Sequence, residues 1–227
     1  MSQLVTVTEK DLYTLIQMDD GKANALSFAM LEQLNGALDQ AAQAAKVVVL
    51  AGRQGKFSAG FDLSVMGQGG EAMIDLLRNG AGLSRRLLNF ETPVILAVSG
   101  HALAMGALLL LSADYRIGVD GNYKLGLNEV AIGMTLPHFG VELARARLSK
   151  RHLNTAVGLA KIYEPSGAVA AGYLDEVVAE DQLLPRAEAL AEQLAGLDMQ
   201  AHKNTKARVR SELNAALDVA LQAELGA

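Results

Sequence analysis

The stretch PVILAVSGHALAMGALLLLSADYRI, residues 93–117, holds three apolar runs separated by short breaks. Val94 to Val98 is short and contains β-branched residues, which is typical of a strand buried on both faces. Ser99-Gly100-His101 predicts a turn, and Ala104 to Ala113, apolar all round, predicts a helix inside the domain. Tyr115 to Val119 predicts the next strand. This stretch alone therefore indicates a strand, a buried helix and a second strand in the order of an α/β protein.

The same order of elements occurs upstream, in KVVVLA and GRQGKFSAGFD, residues 46–62. Val47 to Leu50 predicts a buried strand, the small residues after it predict a loop, and a helical stretch follows. The loop does not match the G-x-x-x-x-G-K-[ST] pattern of a nucleotide-binding loop. Its glycines, Gly52 and Gly55, are too close together, and Phe57 rather than a hydroxyl residue follows its lysine. The loop must therefore serve another purpose.

Hydrophobic periodicity predicts further elements along the chain. They are a strand pair over Leu4 to Met18, a helix from Ser27 to about Ala45, a helix over Glu71 to Asn89, a short strand-and-turn region over Lys124 to Ile132, helices over Pro137 to Leu148 and Arg151 to Leu159, and helices from about Asp181 that break near Gly196. Strands that alternate with helices predict an α/β fold with parallel strands and right-handed crossovers. We expect a core over residues 1–180 and a C-terminal helical region, with a role in oligomerisation, over residues 181–227.

Composition excludes several classes of protein. With 227 residues, of which 51% are hydrophobic and 20% charged, the chain is long and apolar enough for a globular core. A net charge of −5 provides no basic surface for nucleic acid. The absence of cysteine excludes disulfides and thiolate chemistry and fits a reducing compartment, so we expect a cytoplasmic protein.

The sequence also predicts neither a membrane span nor a metal site. Its N-terminus lacks the basic and then apolar form of a signal peptide. Thr92 to Ala113 is an uncharged run long enough to cross a bilayer, but the predicted turn at Ser99-Gly100-His101 divides it. No group of His, Asp and Glu residues has the spacing of metal ligands.

The two loops after the buried strands share a design in which a small-residue turn leads into a helix. The first N–H groups of a helix have no partner within it and carry the positive end of its dipole. Gly60 and Gly106, with Ala59 and Ala104 near them, would let a ligand approach the backbone closely. Two such loops facing each other would form an oxyanion hole. For either loop alone, a tight helix entry is the alternative interpretation.

Three segments in order, FSAGFDL, PVILAVSGHALAMGALLLLSADYRI and LGLNEVAIGM, resemble the crotonase superfamily, also called the enoyl-CoA hydratase/isomerase family. The resemblance runs from about Lys22 to Val177. It implies a spiral of repeated ββα units with a C-terminal helical region, which is shorter here than is usual. It further implies an acyl-CoA thioester as ligand, no cofactor apart from the coenzyme A of the substrate, and a homotrimer or a dimer of trimers.

The resemblance also implies roles for individual residues. The oxyanion hole falls on the N–H groups of Phe61 and Met105, although many relatives carry glycine at the second position. Of two places where relatives carry glutamates, one is occupied by Leu108 and the other by Glu129. The implied contacts with coenzyme A or substrate are Lys22, Ala23, Ala25, Ser58, Ala59, Gly60, Asp62, Leu63, Leu108 and Pro137.

A single glutamate favours one reaction over another. Hydration of a 2-enoyl thioester is served by two carboxylates, whereas moving a double bond from position 3 to position 2 needs one base that takes and returns a proton. The segment Gly126-Leu127-Asn128-Glu129 also resembles the 3-enoyl-CoA to 2-enoyl-CoA isomerase branch. Apolar neighbours, Leu127, Val130 and Ile132, are expected to raise the pKa of Glu129 by desolvation. We therefore predict an acyl-CoA isomerase with Glu129 as its catalytic residue.

Other interpretations stay open at this point. The chain could be an enoyl-CoA hydratase or another crotonase-type lyase or hydrolase that uses His101 or His138, or an acyl-CoA-binding protein without turnover. Glu129 itself could be an exposed carboxylate or one paired with arginine. Asp114 is expected to be a structural hydrogen-bond acceptor. The basic residues near the C-terminus either contact coenzyme A phosphates or form a solvated helix face; they are Lys203, Lys206, Arg208 and Arg210.

Overall fold

The computed structural model describes residues 2–226. Strands and helices alternate along most of this range. The strands are β1 (Val5–Glu9), β2 (Tyr13–Met18), β3 (Val47–Ala51), β4 (Gly55–Ser58), β5 (Val94–Val98), β6 (Gly100–Leu103), β7 (Tyr115–Val119), β8 (Leu125–Gly126) and β9 (Glu176–Val178). The helices are α1 (Phe28–Ala44), α2 (Leu63–Met66), α3 (Gly70–Leu88), α4 (Met105–Ser112), α5 (His138–Arg147), α6 (Lys150–Val157), α7 (Pro165–Ala171), α8 (Leu183–Ala195), α9 (Met199–Val209) and α10 (Ser211–Leu225).

The strands form two sheets. The larger has six strands in the order β1-β2-β3-β5-β7-β9, and the smaller has three in the order β4-β6-β8. β1 and β2 pair antiparallel, whereas every other pair in both sheets is parallel. β3 and β5 are buried at every position, as expected for strands covered on both faces. The predicted α/β fold is confirmed.

Each central strand of the large sheet leads into a short strand of the small sheet. β3 is followed by β4, β5 by β6 and β7 by β8, and the first two pairs lead into the helices α2 and α4. The sequence predicts only a loop and a turn at β4 and β6. These strands escape recognition because their pairing depends on glycine: a Cβ on Gly100 would lie 2.1 Å from the Gly55 carbonyl oxygen. The resulting ββ-helix units repeat along the chain.

Most predicted helices are found close to their expected bounds. Ser27 caps α1, where its hydroxyl accepts a hydrogen bond from the Met30 N–H, and α4 is buried along its whole length. The sequence does not predict α7, β9 or the division of the last helical stretch between Val209 and Ser211. These elements are short or contain few apolar residues, so their periodicity is weak.

The helices cover both faces of the large sheet. One apolar cluster lies between the sheets and the helices α1, α3, α4 and α5. A second cluster lies on the opposite face, where Ala187 and Leu190 of α8 pack with Val49 and Ile95 of the sheet. The residues before and after the predicted domain boundary, between residues 180 and 181, therefore share a hydrophobic core. The division of the chain at this boundary stays a prediction. No helix within residues 2–226 is both long enough and apolar enough to cross a membrane.

Candidate active site

A cavity of about 160 Å³ lies where the two loops after β4 and β6 meet the segment after β8. Most of its lining is apolar, with one carboxylate and one side-chain amide. The lining residues are Ala59, Phe61, Leu63, Met66, Leu77, Ala104, Met105, Leu108, Asn128, Glu129, Ile132, Met134 and Pro137. A mostly apolar cavity with a few converging polar groups is the usual form of a small-molecule site.

Phe61 lines this cavity, and the hydrogen bonds of its neighbours leave its own backbone N–H group free. Leu26 donates its N–H to the Gly60 carbonyl oxygen at 2.8 Å, and the Asp62 N–H donates to the Leu26 carbonyl oxygen at 3.4 Å. Leu26 and Phe61 form a parallel bridge, in which the hydrogen bonds are made by the residues on either side of Phe61 and not by Phe61 itself. Across the described residues, the Phe61 N–H has no hydrogen-bond acceptor.

Met105, the first residue of α4, also lines the cavity, and its N–H donates no hydrogen bond within residues 2–226. Ala104 precedes it at φ 50° and ψ −124°, a conformation rare for a residue with a side chain. The Ala104 N–H donates to the Gly126 carbonyl oxygen at 3.0 Å, which ties the start of α4 to the end of β8. A Cβ built on Gly60 would lie 3.3 Å from the Met105 nitrogen, so the two loops are in close contact. The structure thus brings both predicted oxyanion donors to one cavity.

Glu129 lies in the same cavity, three residues after β8. It is 6% exposed, and its Oε2 atom is buried without a hydrogen-bond partner. Burial raises the pKa of this carboxyl group above its ordinary value, against a smaller lowering by its own backbone N–H. Among the residues that the structure describes, it forms no ion pair with arginine, so the exposed and the paired interpretations are both wrong.

The cause of this desolvation differs in part from the prediction. Leu127 is buried as expected, but Val130 and Ile132 are 48% and 53% exposed. They lie on a short 3₁₀ turn that begins after Glu129, and Ile132 is also one of the residues that line the cavity. The burial that raises the pKa of Glu129 therefore comes in part from other elements that line the cavity, namely α2, α3 and α4.

Leu108 occupies the wall of the cavity where the resemblance left a glutamate position empty. It is buried on α4, and a Cβ on Gly140 of α5 would lie 3.1 Å from its Cδ1 atom. The side chain therefore packs into the contact between α4 and α5. No second carboxylate is among the residues that line the cavity.

The other predicted contact residues divide into two groups. Ala59, Leu63 and Pro137 line the cavity together with Leu108. The segment of Lys22, Ala23 and Ala25 does not line it but lies alongside the loop, where Ala23 accepts a hydrogen bond from the Ala59 N–H.

The polar side chains of Ser58 and Asp62 serve the loop itself. The buried Ser58 hydroxyl donates to the Asn24 carbonyl oxygen at 2.8 Å and accepts from the Gly60 N–H at 3.2 Å. Asp62 caps α2 by accepting from the Ser64 N–H at 2.9 Å. Gly60, between them, keeps the two loops close at φ 97°. Contact of these residues with coenzyme A stays a prediction.

Sequence reasoning did not single out Asn24, which holds this loop in place. Its amide group donates to three carbonyl oxygens, those of Met18, Lys56 and Phe57. Asn24 has φ 50°, a left-handed conformation that asparagine adopts more readily than most residues. In the sequence, the feature that could have indicated this role is an asparagine between two short apolar segments.

Two histidines proposed as alternatives lie outside the cavity lining. The Nδ1 atom of His101 accepts a hydrogen bond from the Lys124 N–H at 2.9 Å, and its ring packs edge-on against Tyr123. Burial lowers the pKa of His101, with further lowering from Lys56 and Lys124. His138 begins α5, where its N–H donates to Glu224 at 2.7 Å.

Two of the C-terminal basic residues are buried, so the expected solvated helix face is wrong for them. Lys206 and Arg210 bind the carboxylate of Asp114 at 2.6 and 2.7 Å. Asp114 also accepts a hydrogen bond from the Val94 N–H, which confirms it as a structural acceptor. Lys203 and Arg208 are exposed, and Lys203 pairs with Glu91. Within residues 2–226, no three His, Asp or Glu side chains are grouped closely enough to bind a metal ion.

The chemical capacity of the cavity follows from this arrangement. Two free N–H groups on adjoining loops can stabilise negative charge on one oxygen atom. A desolvated carboxylate in the same cavity can take a proton and return it, because its raised pKa makes the neutral form accessible.

The family model for enoyl-CoA hydratase/isomerase matches residues 9–227 of the chain. A curated relative, the mouse enoyl-CoA delta isomerase 1, is 30% identical over 158 residues, which are 69% of this chain and 55% of that protein. The chain thus spans little more than half the length of this relative.

Solved structures match over nearly the whole chain. An enoyl-CoA hydratase from Mycobacterium marinum is 43% identical, with a TM-score of 0.92 and 96% of each chain covered. A structure described as an enoyl-CoA isomerase from Mycobacterium tuberculosis is 40% identical, with a TM-score of 0.95 and coverage of 100% of this chain and 99% of that one. Another from the same species, described as a probable enoyl-CoA hydratase, is 41% identical, with a TM-score of 0.94 and coverage of 99% and 97%. The expected crotonase-like fold with C-terminal helices is confirmed by these likenesses.

Proposed function

The chain belongs to the enoyl-CoA hydratase/isomerase family, and on that premise we propose that it is an acyl-CoA isomerase that moves a 3-enoyl-CoA double bond to the trans-2 position. The thioester oxygen would lie between the N–H groups of Phe61 and Met105. Glu129 would face the acyl carbons C2 and C4. Coenzyme A is part of the substrate, and the proposed reaction requires no further cofactor.

The proposed reaction is a proton transfer in two steps. Glu129 takes a proton from C2, and the electron pair of the broken C–H bond delocalises over the double bond and the thioester. The two N–H groups stabilise the resulting oxyanion of the dienolate. The protonated Glu129 then delivers the proton to C4, so that the double bond lies between C2 and C3 and the carboxylate is restored.

The observation that carries this proposal is the contrast between Glu129 and Leu108. Both line the cavity, yet one is a buried carboxylate without a partner and the other an aliphatic side chain. An acid-base shuttle by one group suits the isomerisation, whereas hydration is better served by two groups, one for water and one for carbon. The name of the mouse relative supports the same reaction.

Hydration of a 2-enoyl-CoA is the competing function. It is favoured by the Mycobacterium marinum neighbour, which carries the name hydratase at 43% identity. A water molecule would then have to be activated by Glu129 with help from a group other than Leu108. The two functions predict opposite results with simple substrates.

The decisive experiment compares 3-hexenoyl-CoA and crotonyl-CoA. We expect the absorbance of the conjugated 2-enoyl thioester to rise with 3-hexenoyl-CoA and the rate to fall at least about 10³-fold in Glu129→Gln, because the only proton carrier is removed. Glu142→Gln on α5, outside the cavity lining, is the matched control and should retain the rate. Hydration of crotonyl-CoA without isomerisation would replace the proposal by hydratase function. Binding of acyl-CoA with neither reaction would indicate a protein without turnover.

A second variant tests the role of Leu108. Leu108→Glu would place a carboxylate on α4 in the lining of the cavity that also holds Glu129, at the position that the resemblance assigns to the other glutamate. We expect a measurable rate of crotonyl-CoA hydration that the original protein lacks. Unchanged hydration in a folded variant would show that this wall of the cavity does not face the reacting carbons.

We also propose that the chain assembles as a homotrimer or a dimer of trimers. The proposal rests on the family resemblance, and light scattering during size-exclusion chromatography would test it. A monomer of 23.9 kDa would contradict it.

A further inference from the structure

The side-chain amide of Asn128 is a polar group of the cavity that the fold does not use. It lines the cavity beside Glu129, and its Oδ1 atom is buried without a hydrogen-bond partner. Asn24 shows the contrast, because its amide donates to three carbonyl oxygens and accepts from the Asp20 N–H at 3.0 Å. A buried amide oxygen without a hydrogen bond lowers the stability of the protein. An asparagine at this position is therefore better explained by a functional role than by packing.

The neighbouring carboxylate leaves a second acceptor unpaired. Glu129 Oε2 and Asn128 Oδ1 are both buried, both belong to residues that line the cavity, and both lack a donor among the described residues. Two acceptors cannot bond to each other while the carboxylate is ionised. Once the carboxyl group carries a proton, it becomes a donor, and a hydrogen bond between the two side chains is then chemically possible.

We propose that Asn128 is a positioning residue for the proton shuttle, whose Oδ1 atom accepts a hydrogen bond from the Glu129 carboxyl group while that group carries the substrate proton. The inference rests on the proposed isomerase function. The C2–H bond breaks and its proton moves to Glu129 Oε2. The O–H group is held by Asn128 during the lifetime of the dienolate, and the same proton then forms the new C4–H bond as Glu129 returns to the carboxylate.

Such a bond serves the isomerisation in two ways. It stabilises the neutral form of the carboxyl group, which adds to the effect of burial on the pKa of Glu129. It also keeps the proton on a group inside the cavity, where exchange with water is slower than at the surface. Neither service requires contact between Asn128 and the acyl-CoA, so substrate binding should depend little on this residue.

The test follows a label from C2 to C4. A 3-enoyl-CoA deuterated at C2 is converted, and the fraction of deuterium at C4 of the product is measured for three proteins. The original protein should carry part of the label to C4. Asn128→Leu, which removes both polar atoms but keeps a branched side chain, should reduce that fraction at least about two-fold and kcat about ten-fold with little change in KM. Asn128→Asp keeps an oxygen at the Oδ1 position and should retain the label transfer.

Two further variants serve as controls. Asn122→Leu makes the same change at an exposed position outside the cavity lining and should leave label transfer unchanged. Asn128→Ala provides a second apolar variant that requires no added volume.

Three results would count against the role of Asn128 or its premise. Unaltered label transfer and kcat in Asn128→Leu or Asn128→Ala would overturn the inference. An Asn128→Asp variant that behaves like Asn128→Leu would also overturn it, because the N–H donor would then be the important group. Absence of isomerisation in the original protein would instead refute the proposed function from which the inference starts.

Discussion

The ring of Phe61 fills the space that a side chain at Gly80 would occupy. A Cβ built on Gly80 would lie 2.4 Å from both Cε1 and Cζ of Phe61 and 3.5 Å from Cε of Met105. Gly80 lies in the middle of α3, where glycine costs helix stability relative to alanine. This helix therefore carries a glycine at the point where the side chains of Phe61 and Met105 both approach it.

Gly80→Ala should impair catalysis more than folding. The added methyl group forces the Phe61 ring to move, and its backbone N–H with it, so we expect kcat/KM for isomerisation to fall about 10- to 100-fold. Crowding of this kind costs about 1–3 kcal/mol of stability, offset in part by the higher helix propensity of alanine.

Gly82→Ala is the matched control in the same helix. No atom lies within 4 Å of a Cβ at Gly82, so the change should raise the free energy of unfolding by about 0.5–1 kcal/mol and leave kcat/KM unchanged. Steady-state kinetics and thermal unfolding of both variants provide the measurement. Equal kinetics in the two variants would show that the position of the Phe61 ring does not matter.

Gly60→Ala should obstruct the oxyanion hole directly. A Cβ there would lie 2.9 Å from Ala104 Cβ and 3.3 Å from the Met105 nitrogen, and Gly60 has φ 97°. We expect kcat to fall about 10²- to 10³-fold, the effect typical of losing one oxyanion donor. Gly226→Ala shares a positive φ, 62°, with no atom within 4 Å of its Cβ, and should affect stability alone. Full activity of Gly60→Ala would contradict the assignment of the Met105 N–H.

Glu129→Gln should be more stable than the original protein at neutral pH. Because burial raises the pKa of Glu129, the folded protein binds its proton more strongly than the unfolded chain, and ionising this group costs folding free energy. That cost is absent below the ordinary pKa of 4.5 and grows as the pH rises through the folded pKa. Glutamine carries no charge, so the unfolding temperature of the variant should exceed that of the original protein at pH 7–8, and the difference should vanish near pH 4 as both side chains become neutral. A constant difference across this range would contradict the buried, unpaired state of Glu129.

Asp114 should be essential for the docking of the last two helices. Lys206 and Arg210 are both buried, and Asp114 is the carboxylate that pairs with each of them. Asp114→Ala leaves these two cations without a counter-charge and should cost about 3–5 kcal/mol of stability by denaturant unfolding.

The pH dependence of this variant adds a specific test. Burial lowers the pKa of Lys206 to about 8, so the ammonium group loses its proton more readily in the folded state than in the unfolded chain. The Asp114 carboxylate itself raises this pKa, so its removal lowers the pKa further, and the stability deficit of Asp114→Ala should shrink as the pH rises toward about 8 and stay constant above it. Lys206→Met is the control: Asp114 retains Arg210 and the Val94 N–H, so the change should stay within about 1 kcal/mol. A deficit for Asp114→Ala that resembles that of Lys206→Met would contradict the role of Asp114.

Local patterns predicted the buried parts of the fold well. Val94–Val98 and Met105–Ser112 are uniformly apolar, and such runs specify buried elements without reference to the rest of the chain. The strands β4 and β6 were missed because their residues, such as Lys56 and His101, carry no alternation of apolar and polar positions. Their pairing is decided by the close contact of Gly55 and Gly100, which lie 45 residues apart and meet only in three dimensions.

The candidate site could be predicted in its type and only partly in its surroundings. The motif around Glu129 indicated a carboxylate near two backbone donors, and the structure places all three residues at one cavity. The sequence does not predict that the Asn128 amide oxygen is unpaired or that the Phe61 ring packs against Gly80. Both features depend on which residues from distant parts of the chain surround these two side chains. Likewise, the burial of Lys206 and Arg210 depends on Asp114, which is distant in the chain and lies between them in the fold.

The amino-acid sequence by itself determined the α/β order of elements and the buried helix, since these follow from residue type and local period, and its resemblance to the family pointed to Glu129 and Leu108. Only the tertiary structure decided that this carboxylate is desolvated and unpaired, and that the N–H groups of Phe61 and Met105 are left free. Desolvation and hydrogen-bond satisfaction are properties of a group's whole surroundings, and those surroundings are assembled from segments far apart in the chain.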